Sequence, residues 1–154
     1  IVVLGHSACG AVTAAADIFL DPASYLALAS KHSIRALIDR LQVIVEGSAK
    51  KMAEAFGSDV VRHPNYREAL IEVAVVSNAA LSAHALQREI ASRYASGIRT
   101  AYGVYVLTER AVWAPRGGSD EVVGLATPPD DAQGFVQFAD AVLRSRRIAA
   151  LLDR

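Results

Sequence analysis

The run Ile1-Val2-Val3-Leu4, halted by Gly5 and followed by an alanine-rich stretch, constrains the fold of this chain more than any other segment. Four consecutive apolar residues, mostly β-branched, predict a fully buried strand. Gly5-His6-Ser7-Ala8-Cys9-Gly10 then predicts a tight loop, and Ala11 to Leu20 a helix ended by Asp21-Pro22. Strand, glycine-flanked loop and helix form the α/β unit in which ligands sit at the carboxyl end of a strand. Ile1 lies inside an apolar run and is not Met, so further sequence is expected upstream.

Downstream, Ser33 is expected to cap a second helix with Ile34, Leu37, Ile38, Leu41 and Val45 on one face. Gly47-Ser48 weaken it, and Ala49 to Phe56 reads as a further short helix. The longest helical pattern runs from Arg67 to about Tyr94, with Leu70, Val73, Ala74, Ser77, Leu81 and Ala85 along one stripe and Gly97 closing it. The period then drops to two over Ile98–Thr108, a predicted strand on which Ala111–Ala114 pairs back. Pro115 to Pro129 reads as loop with a short apolar Val122–Leu125, and Ala132 to Leu152 as helix. A single domain is expected over residues 1–154.

Charge narrows the function classes. Sixteen basic and sixteen acidic residues cancel, so neither nucleic acid nor an anionic membrane is an expected partner. No apolar stretch is expected to span a bilayer, and no signal-peptide pattern opens the chain. A soluble, cytoplasmic protein is the expectation. One cysteine, Cys9, excludes an internal disulfide and leaves three roles for its thiol: core residue, nucleophile or metal ligand.

His6 and Cys9 stand three residues apart, where a strand ends and a helix starts. That spacing lets both side chains turn toward one point. Imidazole and thiolate are favoured zinc ligands, and a helix amino end favours the thiolate. Small residues at Ala8 and Gly10 leave room for a metal.

From Ile1 to Gly10 the chain resembles the second signature of β-class carbonic anhydrases: three aliphatics, any residue, then Gly-His-x-x-Cys-Gly. Ala11-Val12 agrees with the Gly-Ala-Val ending common there. Asn78, and Tyr102-Gly103-Val104-Tyr105 followed by Val106-Leu107, match later family stretches loosely. The resemblance implies an α/β fold with a mainly parallel central sheet flanked by helices, of which this chain supplies the C-terminal part. It implies Zn2+ as cofactor, His6 and Cys9 as two of three protein ligands, and reversible hydration of carbon dioxide to bicarbonate. The first cysteine and an Asp–Arg pair, from a Cys-x-Asp-x-Arg motif, would lie before Ile1, so no further catalytic residue is expected within this chain and the chain alone is expected to be inactive. Family members pair as dimers, and some relatives act on carbonyl sulfide or carbon disulfide.

Two other readings use the same segment. Gly-His-Ser-Ala-Cys approaches a serine-hydrolase elbow with Ser7 as nucleophile, although Cys9 stands where the turn wants glycine, and only Asp59 with His63 or His84 could complete a triad. The other is a non-catalytic relative. His32, His63 and His84 read as surface or packing residues, Arg144, Arg146 and Arg147 as a solvated basic face near a helix end, and Gly117-Gly118 as a turn.

Overall fold

The computed structural model describes residues 1–28, 32–93, 97–115 and 122–153. Strand β1 (Val2–His6) leads through a short loop into helix α1 (Gly10–Leu20). Helices α2 (His32–Phe56) and α3 (Tyr66–Arg93) follow, then strands β2 (Ala101–Val106), β3 (Ala111–Ala114) and β4 (Val122–Val123). Helices α4 (Ala132–Arg144) and α5 (Arg146–Leu152) close the order. The α/β class holds, with helix dominant.

The sheet is ordered β1-β2-β3-β4. β1 runs parallel to β2, with Val3 opposite Tyr102 and Gly5 opposite Val104, whereas β2–β3 and β3–β4 are antiparallel. The mainly parallel sheet expected from the resemblance is thus a mixed one, parallel at one of its three pairings. The reason is local. Only residues 107–110 join β2 to β3, too few for the dozen-residue crossover that a parallel neighbour requires.

β1 corrects two further expectations. Gly5 does not stop it: the strand runs on to His6, and a Cβ at Gly5 would lie 3.4 Å from the Ala79 Cβ of α3. Glycine in this strand marks the close passage of a helix. Nor is β1 fully buried. It forms an edge of the sheet, and its outward residues Val2 and Leu4 are 51% and 53% exposed because α3 covers only the other face.

On that covered face Tyr102, Val104, Val106 and Trp113 meet the buried stripe of α3, including Leu70, Val73, Ala74, Val76 and Ala80. α3 is long and apolar enough to cross a membrane by length and composition, contrary to the sequence expectation. Here most of that apolar stretch is buried as the core helix of the fold.

α2 is continuous where two helices were expected. Its Ser48 hydroxyl donates to Ile44 O at 2.8 Å, so the polar group is satisfied inside the helix. α2 is tied to α1 by Gln42 Nε2, which donates to Ala15 O at 2.9 Å. The terminal helix, expected to be unbroken, instead divides at Ser145, whose side chain caps α5 by accepting from Ile148 N–H. Gly117-Gly118, the stretch from Tyr94 to Ser96 and the side chain of Ser33 fall outside the described residues.

Candidate functional site

The β1–α1 loop is built from both ends. β1 carries one ladder bond past its end, Ser7 N–H donating to Tyr105 O at 2.9 Å. Ala8 then takes φ 56°, a left-handed value that costs a non-glycine residue about 1 kcal/mol. This reversal delivers Cys9 to the N-cap of α1, where Cys9 O accepts the helix's first bond from Thr13 N–H.

His6 therefore stands at the carboxyl end of β1 and Cys9 at the N-cap of α1, on either side of one short loop. His6 is exposed on the open face of the sheet. Its Nδ1 lies 3.0 Å from Ser7 O. A carbonyl can only accept, so Nδ1 is the donor, and in the neutral ring Nε2 keeps its lone pair. This is the arrangement by which a backbone carbonyl sets the tautomer of a ligating imidazole. Cys9 is a free, half-buried thiol whose side chain makes no capping bond. The donor types suit zinc, but their number falls short: among the described residues no group of three or more His, Cys, Asp or Glu converges.

Ser7 is 7% exposed, and its Oγ accepts from Leu107 N–H at 3.0 Å. Neither expected triad partner reaches it. His84 bonds Pro129 O at 2.7 Å and stacks edge-on to Phe135, while His63 Nδ1 accepts from Asn65 N–H. Asp59 sits on an exposed turn facing Arg62. Ser7 is thus a joint between the loop and the end of β2, without, among the described residues, the imidazole neighbour that activates a nucleophilic serine.

A cavity of about 670 Å³ abuts the same loop; Ala8 and Thr13 line it, whereas His6 and Cys9 do not. Its charged groups come from α3, α5 and the β2–β3 turn, and sequence reading missed them. Arg147, read as part of a solvated face, is only 19% exposed and bonds Glu72 at 2.8 Å and Glu109 at 2.8 Å. Burial opposes its charge, but the two carboxylates outweigh that and hold the guanidinium above its usual pKa. Arg67 grips Asp17 with two bonds of 2.7 and 3.0 Å. Arg144, by contrast, is 80% exposed beside Asp140, as a solvated face requires.

No protein-family model, curated protein or solved structure matches the chain. The likeness to β-carbonic anhydrases rests on the dozen residues from Ile1 to Val12.

Proposed function

We propose that His6 and Cys9 are two protein ligands of a zinc ion in a carbonic anhydrase of the β type, acting on carbon dioxide and bicarbonate. The observation that carries this reading is the uncommitted pair itself. Among the described residues, His6 Nε2 and Cys9 Sγ are left without hydrogen bonds at the end of one strand, in a loop whose other polar side chain, Ser7, is already engaged.

Zinc held there supplies a bound water whose pKa falls to about 7. The chain's own part is narrower. Ser7 O orients the His6 ring, and the left-handed turn at Ala8 carries the chain from His6 to the α1 N-cap at Cys9. Among the described residues no third protein ligand joins them. The free edge of β1 is a suitable place for a strand carrying such a ligand, and a further element or a second copy laid on the open face of the sheet would cover the exposed apolar Val2 and Leu4.

Stopped-flow hydration of carbon dioxide tests the reading. The 154-residue chain is expected to run at the buffer rate, and the full-length natural protein to be active with one zinc per chain and to lose both with Cys9→Ser. Full activity in a Cys9→Ser full-length protein would overturn it.

A further inference from the structure

Helices α2, α3 and α4 bound an apolar cavity of about 320 Å³ that shares no residue with the β1–α1 loop. Val73, Ser77 and Leu81 line it as one i, i+4 row of α3, and α4 contributes Phe135, Phe138 and Leu143. Phe135 is fixed edge-on between His84 and Phe138, and His84 is anchored in turn to Pro129 O, so this wall is preformed. At the open side Val43, Leu81 and Val136 are 71%, 39% and 42% exposed, three apolar side chains from three helices around one mouth.

The α2 side of that mouth has a gap. Val43, Gly47 and Lys51 form the outer i, i+4 row of the helix, and its middle position carries no side chain. A Cβ at Gly47 would meet no heavy atom within 4 Å, so packing does not require glycine there. Glycine inside a 25-residue helix also lowers helix stability relative to alanine. What it keeps is an open way into the cavity between Val43 and Lys51.

The polar groups define what can enter. Ser48 Oγ donates to Ile44 O at 2.8 Å and Lys51 Nζ holds Glu54 at 2.7 Å, so both are already engaged. Half-buried Ser77 brings a hydroxyl with no hydrogen-bond partner among the described residues. A charge carried inside would lose hydration and find no free counter-charge, which is strongly unfavourable. The volume is about twice the roughly 150 Å³ of an apolar cavity that takes up benzene. We infer that this cavity binds an uncharged, mainly apolar small molecule of about ten carbon atoms, with one oxygen for the Ser77 hydroxyl and entry past Gly47. The site does not depend on the His6–Cys9 pair.

Octanol and octanoate, which share a chain and differ in charge, serve as probes for the 154-residue chain. Octanol is expected to shift the methyl resonances of Val43, Val73 and Leu143 saturably, and octanoate to bind about tenfold more weakly. Gly47→Leu closes the gap and should weaken octanol about tenfold, the worth of about two buried methylenes. The same variant should unfold at or above the parent's temperature, because leucine favours helix. Gly47→Ala, too small to close the gap, should keep most of the affinity. Methyl resonances indifferent to octanol, octanoate binding as tightly, or octanol affinity unchanged in Gly47→Leu would each overturn the inference. So would methyl shifts that follow protein concentration alone, which would make the mouth a contact between copies of the chain.

Discussion

The Ser7 hydroxyl accepts a hydrogen bond from Leu107 N–H at 3.0 Å, tying the loop after β1 to the residue that follows β2. Together with the Ser7 N–H to Tyr105 O bond, it holds the parallel pair together at the end where His6 projects. Ser7→Ala removes the acceptor and leaves a partly buried N–H to find water. The variant should lose about 1 kcal/mol in urea unfolding. A fluorophosphonate probe should leave Ser7 unlabelled in the native chain, because its hydroxyl is engaged by Leu107 N–H and no imidazole among the described residues is hydrogen-bonded to it.

Arg147 presents a larger effect. Its side chain and that of Glu72 are 19% and 16% exposed, so the pair is shielded from solvent and hard to rehydrate. Arg147→Met strands the Glu72 carboxylate beside the packing of α5 on α3. The expected loss is about 3 kcal/mol by chemical denaturation. Arg147→Lys should recover only part, since an ammonium lacks the planar fork that spans Glu72 and Glu109 together.

Much of this architecture was legible in local pattern. The return strand Ala111–Ala114 and the span of α3 appear where periodicity put them, and β2 lies within the period-two run Ile98–Thr108, because those signals are written within one element. Of the stripe expected on α3, Leu70, Val73 and Ala74 are buried, whereas Leu81 and Ala85 are exposed and Ala79, Ala80 and Ala83 are buried in their place. What the sequence hid depends on neighbours. Whether Val2 and Leu4 are buried depends on what covers the sheet. The strand directions depend on the short turn at residues 107–110. The continuity of α2 depends on Ser48 finding Ile44 O. Arg147 looked solvated because only the docking of α5 onto α3 encloses it. The strand-end and helix-start places of His6 and Cys9 were readable from local pattern, whereas the engagement of Ser7 by Leu107, 100 residues away, was not.

Burial pushes the Tyr102 phenol above its ordinary pKa, and its hydroxyl donates to Pro115 O in the core. The folded protein thus keeps the proton where the unfolded chain gives it up. The sign follows: the contribution is complete below about pH 10, the unfolded value, and is lost as pH rises toward the folded one. Tyr66, raised by burial in the same direction, adds to the effect. Urea midpoints should be flat from about pH 8 to about 9.5 and fall steeply above it. Tyr102→Phe should be less stable at about pH 8 by about 1 kcal/mol, with a shallower alkaline decline.

The metal assignment can be tested on this chain directly, because Cys9 is its sole thiol. The measurement is the rate of Cys9 alkylation by iodoacetamide at neutral pH, with and without excess Zn2+. If His6 Nε2 and Cys9 Sγ meet on one ion, zinc slows alkylation and His6→Ala abolishes most of that protection. An alkylation rate indifferent to zinc, or protection equally strong without the imidazole, would contradict it.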